Sequence, residues 1–245
     1  MPNNQISLNP TAIARVLGAI TFFLVLASIA GQLTKFLLGH DYVKGFVPLF
    51  DVNQERNIPT FFSVLLLLGA ALLLAVITRL KQNHRAPHVS KWATLTVGFV
   101  FMAFDEAFQV HEYLVAPVTK LLGDGHLGVF YFAWVIPGIA LVFALGIFFL
   151  KFLLYLPPLT RMRFLIAGTI YVGGAIGFEL IGGRYFELHR QLTLTYSMMA
   201  TIEETLEMVG VIVFIWALLV YLADNHKEVR FEVSGEQEKT MADAP

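Results

Sequence analysis

Phe104-Asp105-Glu106-Ala107-Phe108-Gln109-Val110-His111-Glu112-Tyr113 lies inside an apolar run that extends from about residue 91 to 117. Between 105 and 112 it carries three carboxylates, a carboxamide and an imidazole. Ionisable side chains at membrane depth are costly and usually mark a functional site or pathway. The fold therefore turns on whether the flanking sequence spans a bilayer.

The composition says that it does. Of 245 residues, 57% are hydrophobic and only 14% charged, 22 are Phe, and the mean hydropathy is +0.68. Soluble domains are nearer 45–50% apolar and about a quarter charged. The net charge of −1 gives no electrostatic reason to expect a nucleic-acid partner. Cysteine is absent, which excludes disulfides, thiolate metal sites, cysteine nucleophiles and iron–sulfur ligation.

A spanning helix needs roughly 20 apolar residues. Six segments qualify, at about 13–38, 59–80, 91–117, 127–151, 160–183 and 194–222. The expected fold is all-α: a polytopic bundle of six transmembrane helices forming a single domain over 1–225. A polar, mixed-charge and disordered tail is expected over 226–245. The first span resembles a signal peptide only superficially, because its long leader to Arg15 has little positive charge; it is read as retained. Pro157-Pro158 should separate the fourth and fifth spans, and Pro137 should kink the fourth.

Lys and Arg set the expected orientation. With a cytoplasmic N-terminus, eleven of them fall inside and six outside, and the bias is strongest in the loops 79–91 and 151–163. Both termini are then expected to be cytoplasmic, and the chain is expected to lie in an inner (plasma) membrane.

Spans one, two and four are apolar at their centres and read as scaffold. Polarity concentrates in three, five and six. At ~1.5 Å per residue from the inner edge, Asp105 stands ~21 Å up, Glu179 ~24 Å and Glu207 ~25 Å. Glu112 and Glu203 both reach ~31 Å, near the outer boundary of a core roughly 30 Å thick. Three helices thus supply two tiers of carboxylates. At ~100° per residue, Asp105, Gln109 and Glu112 share a stripe, as do Tyr196, Glu203, Glu207 and Gly210. His111 falls ~120° from Asp105, so an ideal helix would not aim both at one ion without a local bulge.

Asp105, Glu106, Glu112, Glu179, Glu203, Glu204 and Glu207 have only Arg184 and Arg190 near their level. Like charges so close cannot all ionise in a low-dielectric site; protons, cations or water must neutralise them. The leading expectation is a metal site. Asp105, Glu112, His111, Glu179, Glu203 and Glu207 are the candidate ligands. Gln109, Tyr196, Arg184 and His189 would support them, and Glu106 and Glu204 would move protons in catalysis. Carboxylates with imidazole and no thiolate suit divalent iron, zinc or manganese, whereas a purely oxygen set suits magnesium or calcium. Four-helix di-iron proteins share the ligand types, but the Glu-x-x-His spacing is missing here, as is HExxH. The substrate of such an enzyme would be a lipid or other apolar molecule entering from the membrane. The alternatives are a proton- or cation-coupled transporter or channel, a haem protein using His111 and His189, and a structural subunit whose acids only bond helices together. Gly173-x-x-x-Gly177 is expected to be a close helix contact. His84, His88, His126 and His226 fall in loops and carry no assigned role.

The pair Phe-Asp-Glu-x4-His-Glu (104–112) and Glu-Glu-x2-Glu-Met-x-Gly (203–210) resembles motifs in a group of uncharacterised bacterial multispan membrane proteins. The resemblance covers mainly spans three and six. It implies that the acids act as a set and brings no activity with it.

Overall fold

The computed structural model describes residues 9–123 and 126–225; the tail 226–245 lies outside the described residues. Among the described residues the regular elements are all helical. Five helices are long and apolar enough to cross a membrane, six if one sharply bent pair counts as a single span. The chain is a membrane-spanning helical protein.

Local chemistry sets the helix ends. The first span is α1 (Pro10–Leu38): the Asn9 side chain accepts from the Thr11 and Ala12 amides, and Gly39, at φ 71°, closes the far end. A short helix α2 (Phe46–Phe50) then turns back toward the bundle, and α3 (Ile58–Asn83) begins with Asn57 capping Thr60. Asn57 also donates to the Asp51 carbonyl at 2.6 Å and the Pro48 carbonyl at 3.2 Å. That side chain folds the connecting loop over one end of the bundle.

The third span is not one straight helix. α4 (Val89–Phe108) stops at Gln109, whose φ of 53° and ψ of 43° are left-handed. A 3₁₀ turn (Val110–Leu114) and α5 (Val115–Leu122) follow, bent by 78° from α4. The helical stripe expected to carry Asp105, Gln109 and Glu112 together is therefore interrupted.

The fourth span starts later than expected, as α6 (Val135–Tyr155). This puts Pro137 in the first turn, where its missing amide has no helical partner to lose, so it does not kink the middle of the span. The fifth is longer than expected: α7 (Pro158–Val172), a π-helical turn (Gly173–Phe178) and α8 (Glu179–His189) run on continuously.

The last helix, α9 (Leu194–Asn225), is the axis, and it is the most deeply buried of the spans. α1, α3 and α7 pack against it, and α4 packs on α3. Half of the bundle has an aromatic and aliphatic core in which Trp92, Phe152, Phe164, Phe214 and Tyr221 meet. Ile13, Ala14 and Leu17 of α1 pack against this same core, which the Leu218–Tyr221 end of α9 also joins, so Pro10 and Asn225 lie at the same end.

In the other half, α9 touches the π turn at backbone distance. A methyl on Gly174 would lie 2.8 Å from the Glu203 carbonyl, and one on Gly210 would lie 2.8 Å from the Tyr171 amide nitrogen. The close contact expected from Gly173 and Gly177 is made by Gly174 instead; methyls on Gly173 and Gly177 would meet nothing within 4 Å.

Candidate functional site

The half of the bundle away from Pro10 and Asn225 holds an open cavity of about 410 Å³. Eight acids line it: Glu55, Asp105, Glu106, Glu112, Glu179, Glu203, Glu204 and Glu207. His111, Gln109, Tyr171, Tyr196 and Trp134 are in the same wall, and no Lys or Arg is. The six expected ligands and both expected proton carriers are thus brought to one volume.

Asp105 explains how His111 arrives. Its Oδ1 accepts from the His111 amide at 2.8 Å, and its Oδ2 lies 2.9 Å from His111 Nδ1. These bonds hold the chain in the turn after Gln109, so the ~120° offset of an ideal helix no longer applies. The imidazole also lies against the Trp134 ring, with centroids 4.6 Å apart.

On the opposite wall, Trp134 Nε1 donates to Glu179 Oε1 at 2.8 Å. The Glu179 and Glu203 carboxyls are within hydrogen-bonding reach of each other. Two carboxyls so close need a proton or a cation between them. Deeper in, Tyr171 lies beside Glu207, and Ser63 of α3 beside Glu106. A small crevice continues from Glu106, Tyr171 and Glu207 past Ser63 toward Met208 and Val211.

Glu55, Trp134 and Tyr171 in the wall, and Ser63 in the crevice, are among the residues outside the set expected from sequence. Glu55 stands at the mouth and bonds Gln109; desolvation raises its carboxyl above the ordinary range, and the Gln109 bond opposes the shift. Two expected supporters are elsewhere. Arg184 donates to Glu187 at 3.0 Å, and Glu187 also accepts from the Gly128 amide. His189 bonds the Tyr185 carbonyl at 2.9 Å and stacks on that ring. Arg184 belongs to the clasp between α8 and the 128–130 turn, whereas the contacts of His189 stay within α8. His111 and His189 therefore do not face one site, as a haem with both as axial ligands would require.

The donor set has the right atoms for hard or borderline cations. Its geometry is spread: among the described residues no three His, Asp or Glu side chains converge as a ready-made metal site. The acids ring the cavity, leaving room for water between a bound ion and the wall.

No curated protein and no solved structure matches the chain. Residues 16–222 match a domain of unknown function, DUF8692, and the chain belongs to that family.

Proposed function

We propose that the cavity is a cation-binding centre inside the membrane, with iron, zinc or manganese as its first candidates. On this reading the protein acts on a lipid or other apolar molecule. The observation that carries it is the wall itself: eight acids from five segments of chain with no Lys or Arg among them. Burying that much like charge is unfavourable unless positive charge accompanies it. Because the side chains do not converge, ions would be held partly through water or after side-chain rotation. A bound metal would activate water or oxygen there. Glu106 and Glu204, on the deep side of the wall, would then carry protons. The Lys and Arg bias supports cytoplasmic termini, which would put the cavity in the outer half of the bilayer, and the motif resemblance suggests a bacterial inner membrane as the setting.

Elemental analysis of protein grown in metal-replete medium tests this. Stoichiometric metal in the wild type, lost in a Glu203→Gln/Glu207→Gln double variant, is expected. A folded wild type without metal would sink the reading.

A second reading, coupled movement of protons or cations, is favoured by the two irregular segments beside the cavity. Interrupted helices with acids at the break are a feature of transporter sites. Ion flux in proteoliposomes that disappears in Glu207→Gln, in protein lacking bound metal, would select it.

A further inference from the structure

Helix α6 touches the bundle only near its ends. At the inner-core end, Phe152 is buried against Trp92 with ring centroids 5.0 Å apart, and Lys91 Nζ donates to the Phe148 carbonyl at 3.1 Å. At the cavity end, Val135 is buried, Trp134 bonds Glu179, and a methyl on Gly138 would lie 3.2 Å from Ile176. Between them every residue from 140 to 148 is exposed. That is two and a half turns, about 13 Å of helix, with no face packed.

A helix lying on its neighbours would show one buried stripe. Here the stripe that begins at Gly138 and resumes at Phe149 and Phe152 passes through Val142 and Leu145, which are still 38% and 41% exposed. Phe143 and Ile147 on the outward side are 70% and 76% exposed. The lower values mark the face toward the bundle, and the gap in front of it is open. On α4 the row from Lys91 through Leu95 and Gly98 reaches Met102 and Asp105. A methyl on Gly98 would meet nothing within 4 Å, and Met102 and Asp105 are both in the cavity wall. The cleft is lined mainly by apolar side chains and ends at the acids.

We propose that the cleft between α6 and α4 holds one acyl chain of a bilayer lipid and directs an amine-bearing head group at the acid cavity. The chain fits because the cleft sits at hydrocarbon depth and its α4 side between Lys91 and Met102 is apolar except for Thr94, whose hydroxyl is satisfied by the Ser90 carbonyl. The head is selected by charge: an ammonium is complementary to a wall of acids, whereas an anionic head is repelled by it. This deepens the cation-site reading by naming a substrate class, and it rests on that reading for the head group alone.

Photolabelling of the full chain in phosphatidylcholine vesicles tests it. The probes are phosphatidylethanolamine and phosphatidylglycerol, each with a diazirine on one acyl chain, and adducts are mapped by mass spectrometry. Adducts at Val142, Leu145 and Met102 are expected with the ethanolamine probe. They should saturate, be competed by unlabelled phosphatidylethanolamine, and fall several-fold with the glycerol probe. Adducts at Phe143 and Ile147 should follow bulk lipid for both probes. Gly98→Trp, which fills the cleft from open space, should abolish the first set and spare the second. Adducts confined to the outward face would show the cleft covered by protein, a second copy or another subunit, and would overturn the proposal. Cleft adducts that neither saturate nor distinguish the probes would mean bulk lipid only and would overturn it too. Metal content measured on the same preparations separates the readings: saturable, head-selective labelling of metal-free protein keeps this inference and removes the metal centre.

Discussion

Replacing Gly210 with alanine places a methyl 2.8 Å from the backbone nitrogen and Cβ of Tyr171 and 2.9 Å from its Cα. Carbon atoms pack best at about 3.5–4.0 Å, so α7 and α9 must part by roughly 0.7 Å at that point. Two of the three clashing atoms are main chain and cannot rotate away. The cost therefore sits near the upper end of the ~1–3 kcal/mol typical of overpacking. Alanine recovers up to about 1 kcal/mol through its better helix propensity, leaving a net loss of about 2 kcal/mol. For a chain of this size that is a fall of about 4–8 °C in Tm. Gly69→Ala is the matched control: it too lies within a spanning helix, and its methyl would meet nothing within 4 Å. It should be neutral or stabilising. Thermal unfolding of both variants in the same detergent makes the comparison. Because Tyr171 lies beside Glu207, one turn from Gly210, the clash should also weaken cation retention on the proposed reading. Equal Tm values for the two variants would refute the backbone contact, and with it the way the cavity floor is set.

Two other perturbations follow from the bend and the mouth. Asp105→Ala removes both bonds to His111, and each bond to a charged group is worth about 1.5–3 kcal/mol. Since Asp105 is partly exposed, a loss of about 2–3 kcal/mol is expected. Asp105→Asn keeps one acceptor and should lose about half as much; hydrogen exchange at the His111 amide reports the bend directly, and unchanged protection in the alanine variant would be the contrary result. Glu55→Gln tests the mouth. A carboxyl whose folded-state pKa lies above its unfolded value favours folding in its protonated form. That contribution is complete below the ordinary value of 4.5 and lost as pH rises through the folded value. The glutamine variant should therefore match wild type at pH 4 and exceed it in stability at pH 8. A constant difference across that range would count against the desolvation of Glu55.

The five or six spans were legible because apolar length is a strong signal and lipid tolerates few substitutes for a helix. Fine structure was less so. Nothing in Gln109 announces a stop; neither Pro nor Gly lies nearby, and the break comes from a side chain, Asp105, competing for the backbone of His111. The two were visible as a pair six residues apart, but a regular wheel separates them. Glu55 reads as an ordinary solvated loop residue, and only the bonds of Asn57 back to Pro48 and Asp51 bring its loop over the cavity. Trp134 and Tyr171 lie in apolar runs, where an aromatic is usually packing or interface. Arg184 was placed by depth alone. Being five residues from Glu179 it lies about 140° away on the helix, so the two could not have faced one cavity.

The two departures from regular helix solve the same geometric problem from opposite walls. On an uninterrupted α-helix, Tyr171 and Glu179 are eight residues apart and so about 80° out of line. A π turn takes up one extra residue. Counting seven effective steps in place of eight leaves them only about 20° apart, on one face. The turn Gly173–Phe178 lies between these two residues, and both line the cavity. Across from it, the left-handed Gln109 removes the ~120° between Asp105 and His111. Each irregularity adds a polar group to the cavity that a straight helix would have pointed into lipid or protein core. The left-handed backbone of Gln109 is costly, and with the π turn it flanks the same acids from the opposite wall, so both departures serve the building of this one cavity.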